Sequence, residues 1–171
     1  HLLIIPASVC SSETAVNIAK LVDGAIAIPH QHGCCEIGDD FDTTKRTLVG
    51  FGKNPNVGAV LVVGLGCEGI QAKDIADEIK TTGKPVEYIV IQEEGGTAKT
   101  VSKGVEIAGK MAREISKQNK VEFDISEIIL GLECGGSDPT SGLASNPSIG
   151  VASDMLVSMG GSSILSETTE V

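Results

Sequence analysis

The sequence predicts a three-layer, doubly wound α/β fold, a mostly parallel sheet of about six strands with helices on both faces. Two observations predict it. Short apolar runs such as Ala59-Val60-Leu61-Val62-Val63 alternate along the chain with segments whose apolar residues recur at helical spacing. Each apolar run is also followed by a polar loop, usually rich in glycine, which is the punctuation of successive βα units.

The elements follow in order. Leu2 to Ile5 reads as the first strand, and Thr14 to Asp23 as a helix with Ala15, Ile18, Ala19 and Val22 on its inner stripe. Ala25 to Ile28 is the second strand, and Asp40 to Phe51 the next helix. Ala59 to Val63 has the composition of a strand buried on both faces. Ile70 to Lys80 follows as a helix with Ala72, Ile75, Ala76 and Ile79 inward. Val86 to Ile91 is the fourth strand, and Thr97 to Lys117 a long helix with Val101, Val105, Ala108, Ala112 and Ile115 on one face. Glu127 to Leu132 is the fifth strand, Ile149 to Ser158 a helix, and Ser163 to Leu165 the sixth strand. We find no repeat, low-complexity tract or linker, so the expectation is one Rossmann-like domain over residues 1–171.

Composition narrows the function. The chain has 171 residues, 41% of them hydrophobic, enough for an ordinary core. Aromatic residues make up only 2%, which argues against stacking platforms for bases or sugar rings. The net charge of −10, from 23 acidic and 13 basic residues, disfavours nucleic acid and anionic membranes as partners. No apolar run approaches the ~20 residues of a spanning helix. The chain opens directly in a strand, without a signal peptide or Met. We therefore expect a cytoplasmic fragment of a longer protein, with its five cysteines reduced.

In open α/β sheets, ligands bind beyond the carboxyl ends of the strands. After strand two comes Pro29-His30-Gln31-His32-Gly33-Cys34-Cys35-Glu36, a set able to ligate a transition metal or move protons, or to be a polar loop with buried thiols. After strand three, Gly64, Gly66 and Gly69 superficially resemble a dinucleotide fingerprint. They follow the third strand, however, and no acidic ribose partner comes after a suitable later one. Gly95-Gly96-Thr97 enters a helix with backbone N–H groups suited to an anion, and Thr97 equally suits a plain N-cap. The loop from Glu133 to Asn146 is dense in Gly, Ser and Thr and suits polar ligands, and Glu167 follows strand six. Cys10, Cys34, Cys67 and Cys134 all fall just after strands, a grouping that can hold iron or an iron–sulfur cluster, or be structural thiols.

Four stretches carry a resemblance: Val60-Leu61-Val62-Val63-Gly64-Leu65-Gly66-Cys67-Glu68, Leu130-Gly131-Leu132-Glu133-Cys134-Gly135-Gly136-Ser137-Asp138, Ser141-Gly142-Leu143-Ala144-Ser145-Asn146-Pro147 and Ile164-Leu165-Ser166-Glu167-Thr168. They resemble the altronate/galactarate dehydratase family, which includes the large subunit of sulfolactate sulfo-lyase. Pro29-His30 to Cys34 is similar to the family's His-x-x-Gly-Cys pattern, with Cys35 in place of the usual Gly.

The resemblance implies loss of water from a small-molecule sugar acid to give a 2-keto-3-deoxy acid, assisted by Fe²⁺ or Mn²⁺, with an iron–sulfur cluster the lesser option. It also implies a partner, a SAF-type domain or small subunit, and allows a homo-oligomer. Proton loss beside a carboxylate needs a cation to stabilise the enediolate-like charge, a base, and an acid for the departing hydroxyl. On this resemblance His30, Asp138 and Glu167 are the catalytic candidates. His30, Cys34, Cys67 and Cys134 are the metal candidates. Gly96, Thr97, Gly135, Gly136, Ser137, Ser141 and Asn146 are the substrate-binding candidates. Two rival readings are a sulfo-lyase, against which retention of Cys34 and Cys67 argues, and a non-catalytic binding or assembly subunit.

Overall fold

A computed structural model describes residues 1–136 and 138–166 of the chain. These residues group into two compact units, His1–Gln118 and Asn119–Val171, and each is considered by itself.

The first unit alternates strands and helices: β1 (Leu2–Pro6), α1 (Val9–Lys20), β2 (Ala25–Ala27), α2 (Gly38–Lys53), β3 (Ala59–Gly64), α3 (Ala72–Lys80), β4 (Val86–Val90), a single turn α4 (Ile91–Glu94) and α5 (Thr97–Ile115). All four strands run parallel in the order β2-β1-β3-β4. The chain winds one way from β1 to β2 and the other way from β3 to β4. The fold is therefore doubly wound, with its switch point between β1 and β3. Those two central strands are buried along their whole length, as their unbroken apolar sequences require.

Alternation along each strand divides the core in two. Leu3, Ile5, Val60 and Val62 face Leu48 and Val49 of α2 and Ile75 and Ile79 of α3. Leu2, Ile4, Leu61 and Val63 face Ala15 and Ile18 of α1 and Ala108 and Met111 of α5. Helices thus cover both faces. A Cβ at Gly104 would lie 2.4 Å from Ile18 Cδ1, so a residue without a side chain lets α5 settle against α1.

The second unit holds β5 (Ile129–Leu132), α6 (Asn146–Ser158) and β6 (Ser162–Leu165). A 3₁₀ turn at Ile125–Glu127 precedes β5, and a π-helical turn at Ser141–Ser145 runs into α6. Here the expectation of one sheet of about six strands is corrected. β5 and β6 pair in parallel with each other and form a separate two-stranded sheet. The physical reason is visible on β4, which carries exposed Glu87 within the strand. A charge at that position marks an edge, and the four-stranded sheet stops there. β5 in turn alternates exposed and half-buried residues and lacks the two-sided burial of β3.

Most elements lie within a few residues of their expected bounds, but α1 begins at Val9 where the apolar stripe suggests Thr14. Its first turn is Val9-Cys10-Ser11-Ser12, stabilised because Ser11 Oγ donates to Ser8 O at 3.0 Å. Among the described residues no helix is long and apolar enough to cross a membrane.

Candidate functional site

The loops after β1 and β2 are joined by hydrogen bonds at the carboxyl edge of the four-stranded sheet. The Val9 N–H donates to His32 O at 2.9 Å. Buried Ser12 donates from Oγ to His30 O at 3.1 Å and accepts from the His30 N–H at 3.3 Å. The His30 ring is held at both nitrogens, with Nε2 2.8 Å from Pro6 O and Nδ1 3.1 Å from the His32 backbone nitrogen. A carbonyl only accepts and a backbone N–H only donates. Nε2 therefore carries the proton and Nδ1 is bare, which defines the tautomer.

Two residues on, the His32 ring stacks on His30 with centroids 6.2 Å apart. Its Nδ1 lies 3.2 Å from Glu36 Oε1, with the imidazole 67% exposed and the carboxylate side chain 15% exposed. Both border a cleft of about 660 Å³, whose apolar side is Ile28, Leu48 and Phe51 and whose polar side includes Asp40 and Thr47. The sequence motif put His30 forward and passed over this pair. Its signal was the four-residue spacing from His32 to Glu36.

Cys10, Cys34, Cys35 and Cys67 are all exposed free thiols. They are near enough to act on one another: Cys35, through a hydrogen bond and its charge, then Cys10 and Cys67 push the Cys34 thiol above its ordinary value. Thiolates disfavour a further thiolate beside them. Cys35, where the family pattern has Gly, is the non-glycine residue with positive φ (61°) among those described. A side chain there costs about 1 kcal/mol or more. We expect Cys35→Gly to relieve that strain, offset by glycine's greater chain entropy, for a net gain of roughly 0.5 kcal/mol in urea unfolding. The Cys34 thiol should also alkylate faster at pH 8 in this variant, because its largest perturbing neighbour is gone.

Glu68 proves to be structural. It is 3% exposed and accepts from the Leu65 N–H with both oxygens at 3.1 Å and from the Gly66 N–H at 2.6 Å. Its own carbonyl accepts from Gln71 Nε2. The carboxylate thus shapes the loop that presents Cys67. A short acidic residue step after a Gly-x-Gly turn was the available signal.

At the end of β4, the Gly95-Gly96-Thr97 turn leads from α4 into α5. Gly96 (φ 111°) is the cap and Thr97 the first helical residue. The Gly96 N–H donates to Ile91 O at 2.9 Å, while its carbonyl accepts from the Thr100 N–H and hydroxyl.

In the second unit, Gly136 O accepts from Ser141 Oγ at 3.0 Å and from Cys134 Sγ at 3.6 Å. Asp138 Oδ1 accepts from the Thr140 N–H at 2.7 Å, the Thr140 hydroxyl at 2.6 Å and the Ser141 N–H at 2.9 Å. These bonds, the Thr140 hydroxyl first, hold the exposed Asp138 carboxyl below the usual carboxylate range. Because the folded value is depressed, their contribution is present above that range and is lost as pH falls through the lowered value. Gly135 and Asn146 are exposed, Asn146 as the first residue of α6.

The structure thus brings His30, Cys34 and Cys67 to one edge of the first unit, and Cys134, Gly136, Asp138 and Ser141 together in the second. Ser137 and Glu167 lie outside the described residues. Among the described residues no three His, Cys, Asp or Glu side chains lie close enough together to hold a metal ion.

Two parts of the chain match related family descriptions. Residues 1–116 match "D-galactarate dehydratase/Altronate hydrolase, second domain", and residues 125–171 match "D-galactarate/Altronate dehydratase, C-terminal". The gap between them contains the division between the two compact units. The chain is 36% identical over its whole length to (2R)-sulfolactate sulfo-lyase subunit beta of Chromohalobacter salexigens, of which it spans 43%. It is 33% identical over 87% of its length to altronate dehydratase of Bacillus subtilis, spanning 30% of that protein. It is 36% identical over 74% of its length to galactarate dehydratase (L-threo-forming) of Escherichia coli, spanning 25%. No solved structure matches the chain significantly. The chain belongs to the D-galactarate/altronate dehydratase family.

Proposed function

We propose that this chain is the catalytic part of a hydro-lyase that removes water from a sugar acid such as altronate or galactarate, giving a 2-keto-3-deoxy acid. The observation that carries the reading is that both units match the same family, whose similar proteins include altronate and galactarate dehydratases. The catalytic unit is completed by a SAF-type domain or small subunit. A subunit name among the relatives supports a multi-chain assembly.

In this reading His30 takes the proton at Nδ1, its bare nitrogen, after the bond from the His32 N–H opens. Its Nε2–H bond to Pro6 O keeps the ring oriented. Ser141 and Asn146 hold substrate oxygens, while Asp138 or Glu167 assists the departing hydroxyl. A bound Fe²⁺ or Mn²⁺ would supply Lewis-acid stabilisation of charge beside the carboxylate. The donor types suit iron, since Cys34 and Cys67 in the first unit and Cys134 in the second are soft ligands. His30, with a single bare nitrogen, would be a ligand only where it is not the base. A cation would deprotonate the thiols that bind it, at Cys34 against the neighbours that raise its value.

The test uses the full-length protein or the reconstituted subunits, prepared anaerobically with Fe²⁺. It should form a 2-keto-3-deoxy product from at least one sugar acid, and Cys67→Ser should retain less iron by metal analysis. Normal iron and turnover in Cys67→Ser would exclude thiolate ligation at that residue. The 36% identity to a sulfo-lyase subunit over all of this chain favours one second reading. Sulfite release from sulfolactate, with no dehydration of any sugar acid, would establish it instead.

A further inference from the structure

We propose that the cleft between the loop after β2 and helix α2 is a hydroxyl-binding subsite, with Glu36 Oε2 as its acceptor. The inference rests on the sugar-acid reading and assigns the part of that substrate held here. It starts from an anomaly. Glu36 Oε2 is buried and has no hydrogen-bond partner among the described residues, while Oε1 of the same carboxylate meets His32. A buried acceptor left unsatisfied costs free energy, and natural structures keep few of them. The terminal torsion of a glutamate is soft. A turn of the carboxylate on ligand binding would then offer this oxygen to the cleft that Glu36 already borders.

The cleft's chemistry selects the ligand. Thr43, Thr44 and Thr47 line the α2 side and Asp40 adds a second carboxylate, whereas no Lys or Arg among the described residues lines it. The Thr47 hydroxyl donates to Thr43 O, and Arg46 donates to the Thr43 hydroxyl. A carboxylate end of a ligand finds no cation here. A hydroxyl donor finds acceptors, and the C–H face of an extended carbon chain finds Ile28, Leu48 and Phe51. This set fits the hydroxylated middle or tail of a sugar acid, with the reacting carboxylate elsewhere. His32 holds Oε1 and leaves Oε2 for the ligand.

The pair gives a diagnostic that a merely structural carboxylate lacks. Truncating Glu36 removes an unsatisfied buried oxygen and one contact to an exposed imidazole. The protein should therefore melt at or above the wild-type temperature. In the full-length enzyme, Glu36→Ala should raise KM for altronate or galactarate by about tenfold with kcat little changed, the signature of lost uniform binding. Glu36→Gln, which retains an acceptor oxygen, should recover most of the affinity. Sulfolactate, which offers a single hydroxyl, should be bound equally by wild type and Glu36→Ala in calorimetry. An unchanged KM in a folded Glu36→Ala enzyme overturns the subsite while leaving the dehydratase reading intact. A wild-type enzyme that neither binds nor dehydrates any sugar acid overturns that reading, and the subsite with it.

Discussion

Replacing Gly33 by alanine should unfold the first unit roughly 10 °C below the wild-type temperature in calorimetry. Gly33 has φ 91°, and a Cβ there would lie 2.3 Å from Ala7 O and 2.8 Å from Ser8 Cα. Neither contact can be relieved by a side-chain rotation, because both atoms are backbone. The conformational penalty of about 1–2 kcal/mol adds to an overpacking cost of about 1–3 kcal/mol. The loop cannot retreat freely, since the Val9 N–H to His32 O bond and the His30 ring bond to Pro6 O tie it to the end of β1. Turnover by the full-length enzyme should fall with stability, because the same shift displaces His30. An alanine variant with unaltered melting would mean that the loop after β2 does not press on β1 in solution.

Glu68→Ala should cost about 2–4 kcal/mol in urea unfolding, a large effect for a residue outside the apolar core. The carboxylate accepts from two backbone N–H groups, and it packs beneath Gly64, where a Cβ would meet Oε1 at 2.5 Å. Gly66 holds φ 122° against the Gln92 side chain, so the loop has little freedom to find other acceptors. Removing a charged acceptor therefore strands its donors. Glu68→Gln should lose roughly half as much, because one amide oxygen can still serve both N–H groups from the Oε2 position. Equal stability of wild type and Glu68→Ala would show that water replaces the carboxylate without cost.

The helical stripes and bare apolar runs made β1, β3, α3 and α5 legible, because burial against a two-sided core leaves a periodic record. The first turn of α1 left none. Its residues face other loops, and serine at its start can cap a helix or end one. The division into two sheets was also hidden. Ile129-Leu130-Gly131-Leu132 has the composition of an inner strand, and only the neighbours available to it decide whether both faces are covered. At the site, motifs located the loops but not the state of each side chain. The occupation of both His30 nitrogens depends on Pro6 O, twenty-four residues away. The orphaned oxygen of Glu36 depends on how His32 turns. The role of Glu68 was ambiguous because a buried brace and a ligand are the same residue type.

The strand order has a consequence for synthesis. β1 lies between β2 and β3, and its pairing with β3 joins Leu2 to Ala59 and Pro6 to Val63. A ribosome delivers Leu2–Pro6 long before that partner. Until β3 emerges, β1 is an apolar segment with one unpaired edge, kept from its final neighbour by a long loop whose closure is slow. Such a segment is a template for pairing between nascent chains. A strand that ends buried along its whole length in the finished sheet is thus the one exposed longest while the sheet is being made, and it is where a growing chain has most need of a chaperone.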